Sequence, residues 1–266
     1  QRYARTDEYI EILKKVWLSS APFDHSGDYY QFEKAYSEVR PFQSPQVPIY
    51  FGGISSAALA VGARHADVYA LFGESRANIS QLIASINRLA ASHQRTPKYQ
   101  LSFRPIIAST EAAAWQKAET ILTAVKPVQA RPAAPEAETA KRLLRLSAQG
   151  DILDERLWTP IAAAAGGSGN TTALVGTAEQ VADAIIAYYH LGVDGAGRAQ
   201  GLERARRGGK VDEVGKPGKH GEGGTAVAVV ANHVRNHGAV AQVRPHDLDD
   251  RVKRFVRRLG SLIGGA

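Results

Sequence analysis

The stretch Val47-Pro48-Ile49-Tyr50-Phe51-Gly52-Gly53-Ile54-Ser55-Ser56-Ala57-Ala58-Leu59 decides how the rest of the chain is read. An apolar, β-favouring run meets two glycines, then two serines, then an alanine-rich segment of helical character. That order predicts a strand, a tight turn and the start of a helix. Glycines let the backbone approach a ligand closely, and Ser55 is placed to cap the helix while the next N–H groups point outward. Free donors at the positive end of a helix dipole suit a phosphate. A capped strand-to-helix turn with no ligand satisfies the same residues, so the stretch alone leaves both readings open.

Upstream, residues 1–20 predict a helix, because Tyr3, Ile10, Leu13, Val16 and Trp17 recur at three- and four-residue spacing opposite Glu8, Glu11, Lys14 and Lys15. Between Phe23 and Phe42 a turn signal, Ser26-Gly27-Asp28, separates aromatic-rich extended pieces, which predicts a short β excursion outside the main sheet. Downstream the strand-helix pattern repeats. Strand Val47 to Phe51 leads to helix Ser55 to Arg64, strand Asp67 to Phe72 to helix Ala77 to Ser92, and strand Tyr99 to Ala108 to helix Glu111 to Val125. Consecutive units of this length predict parallel strands with right-handed crossovers, in an open doubly wound sheet or a (β/α)8 barrel.

Residues 127–170 break the rhythm with Pro127, Pro132 and Pro135, a helix from Glu136 to Gln149, and a small-residue loop from Ala162 to Asn170. An insertion carrying its own helix reads as a mobile lid. The pattern then resumes with a strand at Thr172 to Gly176, Thr177 as N-cap with Glu179-Gln180 in the first turn, and a helix ending at Gly192. A further strand is due at Val193-Asp194, but the composition changes there and predicts that it does not form. Residues 195–266 hold 14 glycines and one aromatic residue, Phe255. A shifted reading frame in a GC-rich gene, a flexible basic extension for anionic partners, and an unrelated second domain each fit that composition. The expected organisation is therefore a partial barrel domain at 1–194, with its insertion, and a basic Gly/Arg-rich tail at 195–266.

Charge supports the division. Residues 195–266 carry 14 Lys and Arg against 7 Asp and Glu, whereas residues 1–194 carry 19 of each. The basic balance belongs to the tail, so it does not mark the barrel part as a nucleic-acid binder. The chain has no cysteine, which excludes disulfides and thiolate metal sites. It has neither an apolar run long enough to span a bilayer nor a signal-peptide pattern, so the expectation is a cytoplasmic enzyme with no membrane partner. It opens on Gln1 and contains no methionine, which points to a piece of a longer protein.

Several segments taken together resemble the bacterial luciferase-like flavin-dependent monooxygenases, and within them the alkanesulfonate monooxygenase branch. These are Arg2-Tyr3-Ala4-Arg5-Thr6-Asp7-Glu8, Ser37-Glu38-Val39-Arg40-Pro41, Pro48-Ile49-Tyr50-Phe51-Gly52-Gly53, Ala66-Asp67-Val68-Tyr69, and Thr172 to Gly176 followed by Glu179-Gln180-Val181-Ala182. The resemblance implies an incomplete (β/α)8 TIM barrel of the luciferase-like type that binds reduced FMN at the C-terminal ends of its strands. It also implies a separate NAD(P)H-dependent flavin reductase as partner, O2 and a small organic molecule as substrates, and a homo-oligomer when intact. In the sulfonate branch a peroxyflavin attacks the substrate and the carbon–sulfur bond is cleaved.

Carried over residue by residue, Tyr3 corresponds to a tyrosine whose hydroxyl reaches the flavin phosphate. Gly53, Ile54, Ser55 and Ser56 correspond to the phosphate-binding turn. Arg104, in Ser102-Phe103-Arg104-Pro105, corresponds to an active-site arginine that could pair with a sulfonate. Two departures weigh against a sulfonate: Ile106 stands where that branch has a histidine, and Ala162 to Gly167 stands near its lid arginine. Without its early strands the barrel is expected to lack oxygenase activity. The same fold admits an oxidoreductase that uses the deazaflavin F420. A different class of reading is a non-catalytic remnant whose basic tail binds nucleic acid or another acidic partner.

No metal is expected. His233 and His237 have helical spacing, with His220 or His246 as a third candidate, but no Glu follows His233. Gly166 to Thr172 lacks the lysine of a phosphate loop. His65 and His93 lie near predicted helix C-termini, where a cation is stabilised. Trp115 and Trp158 read as core or lid packing.

Overall fold

A computed structural model of the chain describes residues 1–125, 137–167 and 172–197. Readings that fall on residues 126–136, 168–171 and 198–266, including the tail and its histidines, lie outside the described residues. The first helix, α1, runs Arg2–Leu18 and buries Ile10 and Ile12. After it, β1 (Phe23–Ser26) and β2 (Gln31–Ala35) pair antiparallel as a two-stranded sheet of their own. Glu8 of α1 ties that hairpin down, accepting from the Tyr29 and Tyr30 amides at 2.9 Å each and facing His25 Nε2 at 2.8 Å.

The predicted strand-helix units then follow. They are β3 (Tyr50–Phe51), α2 (Ser56–His65), β4 (Val68–Phe72), α3 (Arg76–Ala91), β5 (Lys98–Ser102), β6 (Arg104–Ile107) and α4 (Glu111–Val125). Strand β3 is shorter than the apolar run suggests. Pro48 has no N–H to give a ladder, and the Ile49 amide is taken by the Asp67 carboxylate at 2.9 Å. The predicted single strand from Tyr99 to Ala108 is interrupted at Phe103. Its ring turns into the space above Gly73, where a Cβ would lie 2.0 Å from it, and stacks at a tilt on Tyr188 with centroids 4.9 Å apart. One extended stretch thus serves two sheets.

In the first sheet β3, β4 and β5 run parallel, and the order is β10-β5-β4-β3 with β10 at Gly195–Gly197. This corrects the expectation that no strand forms after Val193. Val193 is buried, the Asp194 amide donates to the Tyr99 carbonyl at 2.8 Å, and the Asp194 carboxylate accepts from the Tyr99 amide at 2.8 Å. A parallel ladder is made by backbone groups, so Gly-Ala-Gly can supply it without the β-branched side chains that sequence reading looks for.

The second sheet holds β6 parallel to β9 (Ala173–Gly176), with β8 (Leu157–Trp158) antiparallel to β9 and β7 (Ile152–Leu153) antiparallel to β8. The β7–β8 hairpin and α6 (Pro160–Ala164) fall where the sequence reading placed only a lid and a small-residue loop. Two-residue strands carry too little alternation to register as a pattern. The described part of the insertion is packed: α5 (Glu138–Ser147) buries Leu143 and Leu146, and Leu157 and Trp158 are inaccessible. The last helix among the described residues, α7 (Ala178–Tyr189), opens with the expected capping box, in which Thr177 accepts from the Gln180 amide and the Gln180 side chain accepts from the Thr177 amide. Strands β3, β4, β5, β6 and β9 with their flanking helices form an incomplete α/β barrel, whose two sheets do not close among the described residues.

Candidate functional site

The β3–α2 turn supplies the site. Strand β3 ends at Phe51, Gly52 is exposed, and Gly53 takes φ +139°, a conformation that side-chain-bearing residues rarely adopt. A Cβ at Gly53 would lie 2.8 Å from the Ala58 methyl and 3.1 Å from the Tyr3 hydroxyl. The Tyr3 side chain, delivered by α1 and set 6.5 Å from the Phe51 ring, therefore reaches the turn from a distant point in the sequence. Ser55 caps α2, its side chain accepting from the Ala58 amide at 3.3 Å. The first-turn amides of a helix have no partner within it, and here the first two residues of α2, Ser56 and Ala57, are exposed.

Among the residues named from sequence, Tyr3, Gly53, Ile54, Ser55 and Ser56 thus come to one place. Arg104 does not join them. It opens β6, is exposed, and its amide donates to the Thr172 carbonyl at 3.0 Å. It belongs to the second sheet, where it pairs with Ala173 at the start of the parallel β6–β9 ladder, whereas β3 lies in the first sheet. Ile106, two residues on, is buried in the cluster with Trp158 and Val175, so it packs and offers no polar group.

Sequence reasoning missed Tyr69. Its ring is fully buried on β4, and its hydroxyl donates to the Gly53 carbonyl at 2.6 Å. Burial pushes its phenol pKa up. The signal lay in Ala66-Asp67-Val68-Tyr69, where a buried tyrosine needs a partner for its hydroxyl.

Two other constellations are structural. Ligand atoms of Asp7, Glu11 and His65 lie within 4.8 Å of one another, as a metal site would require. Arg64, however, donates to both Asp7 and Glu11, and Lys14 Nζ stands 3.2 Å from His65 Nδ1, so cations of the chain itself already occupy the cluster. Because an ammonium only donates, His65 Nδ1 is the acceptor and Nε2–H donates to Asp7 at 2.7 Å. At this helix end, where the sequence reading favours a cation, burial and then the Lys14 charge push the His65 pKa down. A cavity of about 190 Å3 lies between α3, the β7–β8 turn and α7, lined by Arg76, Asp154, Arg156 and Tyr188 among others. Its lining includes none of the candidate site residues named from sequence, and it falls short of the roughly 300 Å3 at which small-molecule pockets begin.

A family model described as luciferase-like monooxygenase matches residues 1–195. Among solved structures, the EDTA monooxygenase EmoA from Chelativorans sp. BNC1 is 19% identical with a TM-score of 0.56, over 73% of this chain and 54% of its own. DmoA from Hyphomicrobium sulfonivorans is 20% identical with a TM-score of 0.56, over 82% of this chain and 58% of its own. Riboflavin lyase RcaE, solved with modified FMN and riboflavin, is 20% identical with a TM-score of 0.54, over 73% of this chain and 52% of its own. These likenesses show the fold. The chain spans little more than half the length of those structures, and among the described residues no helix is long and apolar enough to cross a membrane.

Proposed function

The chain belongs to the luciferase-like monooxygenase family, and from that premise we propose that the β3–α2 turn holds the phosphate of FMN and that the protein serves flavin-dependent oxygenation of a small organic substrate. The observation that carries the reading is the convergence of the Tyr3 hydroxyl on Gly53, 3.1 Å from where a Cβ would sit, beside the Ser55-capped N-terminus of α2. A side chain at position 53 would fill the space beside that hydroxyl. Its absence leaves a cradle of backbone amides, a serine cap and a phenol donor, which is the donor set an anion of tetrahedral oxygens requires.

Bound reduced flavin supplies the activation of molecular oxygen. The chain's own share is to hold and orient. Ile54 and Ser56 contribute amides, Ser55 fixes the first turn of α2, and Tyr3 donates from the side. Arg104, at the start of β6, carries a permanent positive charge that suits an anionic substrate such as an alkanesulfonate. Ile106, two residues on, packs in the core and offers that anion no polar group. Reduced flavin would come from a separate NAD(P)H-dependent reductase, and the intact protein would assemble from like subunits.

The test is equilibrium binding of FMN, riboflavin and F420 to the purified chain. FMN bound tighter than riboflavin supports the reading. Binding of F420 alone transfers the site to hydride-transfer chemistry, and binding of none overturns it. Sulfite release from a small alkanesulfonate, with a flavin reductase supplying reduced FMN, tests the substrate class.

A further inference from the structure

The two glycines that make the cradle also threaten it, because Gly52 and Gly53 have no Cβ to stop the intervening peptides from rotating. Something must decide which way the Gly53–Ile54 peptide faces. The Tyr69 ring is locked: it is 0% exposed, edge-on to Phe51 with centroids 5.9 Å apart, and so close to α2 that a Cβ on Gly62 would lie 2.4 Å from it. From that fixed ring the hydroxyl donates to the Gly53 carbonyl at 2.6 Å, with the Ala58 carbonyl at 3.5 Å. A peptide is planar and trans, so its C=O and N–H point in opposite directions. With the Gly53 carbonyl directed into the core, the Ile54 N–H is directed out of it.

We propose that Tyr69 is a positioning residue for the anion cradle: by pinning the Gly53 carbonyl inward it holds the Ile54 N–H outward, toward the phosphoryl group. The inference rests on the phosphate reading of the turn. Tyr69 touches no ligand, since its hydroxyl is buried beneath the turn, and it acts only through the orientation of one peptide. The bond also satisfies a phenol that burial would otherwise leave unpaired.

Tyr69→Phe keeps the ring and its packing and removes only the hydroxyl. The full chain and this variant are titrated with oxidised FMN and with riboflavin, which lacks the phosphate, by quenching of flavin fluorescence. The expected result is an FMN Kd raised about fivefold to tenfold, in keeping with one weakened bond to a charged group, while riboflavin affinity is the same in both proteins. Equal FMN affinity in variant and parent overturns the inference, as does an equal loss for both ligands, which is what a merely structural role gives. If the parent chain binds FMN no tighter than riboflavin, the phosphate reading falls and takes this inference with it. Should the variant not fold, the parent decides by itself: inorganic phosphate should shift the Ile54 amide resonance more than the amides of α4, and an unmoved Ile54 overturns the inference.

Discussion

The hydroxyl of Tyr3 and the α-carbon of Gly53, 50 positions apart in the sequence, face each other so closely that one added methyl group would come within 3.1 Å of that oxygen. The space between them is too small for a side chain, since a Cβ there would also lie 2.8 Å from the Ala58 methyl. Gly53→Ala should therefore act twice. It forces an alanine into φ +139° against the Ala58 methyl, costing about 1–3 kcal/mol, and it fills the cradle. Urea unfolding should show the loss of stability, and FMN titration under conditions where the variant is folded should show binding too weak to measure.

Ser55 separates the structural role of the cap from the electrostatic role of the cradle. Ser55→Ala removes the acceptor for the Ala58 amide and should lower stability by about 1 kcal/mol. Ser55→Asp keeps an acceptor and suits the helix dipole, so thermal unfolding should stay near the parent's. Its carboxylate nevertheless sits where the phosphate is expected, and FMN affinity should fall at least tenfold at low salt, with part of the loss recovered at high salt.

The insertion is fastened by a buried carboxylate. Glu74, 3% exposed just past β4, accepts from Arg142 Nε of α5 at 2.6 and 2.8 Å and from Asn78 Nδ2 at 3.1 Å, and its carbonyl accepts from the Tyr188 hydroxyl at 2.7 Å. Arg142→Met strands that charge and should cost up to about 3 kcal/mol. Glu74→Gln, which retains a hydrogen-bonding oxygen, should cost less. Denaturant midpoints order the two, and the reverse order would show that the pair does not hold α5.

Acid should loosen the contact between α1 and α2 through His65. Its folded pKa is below the ordinary 6.5, first because it is buried and then because Lys14 and Arg64 lie close, with Asp7 opposing them. The unfolded chain therefore binds the proton more readily, so this contribution is fully present above about pH 6.5 and is lost as the pH falls toward the depressed folded value. His65→Gln should flatten the change in unfolding free energy between pH 7.5 and 5.5. An unchanged slope would exclude His65 as its source.

Local chemistry alone made much of the fold legible. The turn at Gly52-Gly53, the caps at Ser55 and Thr177, the capping box with Gln180 and the spacing of successive strands and helices are written in neighbouring residues. Each depends on backbone groups within a few positions of one another, so short-range pattern suffices. The candidate cradle was visible for the same reason, because a strand, two glycines and a capped helix are contiguous.

What the tertiary structure alone decided are relationships that span the chain. Asp67 took the Ile49 amide and shortened β3, Phe103 split one strand between two sheets, and Gly195–Gly197 joined β5 through its backbone despite a composition that argues against a strand. Burial, and then the nearby Lys14, push the His65 pKa down despite its place at a helix end. Above all, packing alone could set the Tyr3 hydroxyl beside Gly53 and the Tyr69 hydroxyl beneath it. A hydrogen bond's strength and direction depend on distances and angles in space, and sequence separation carries neither.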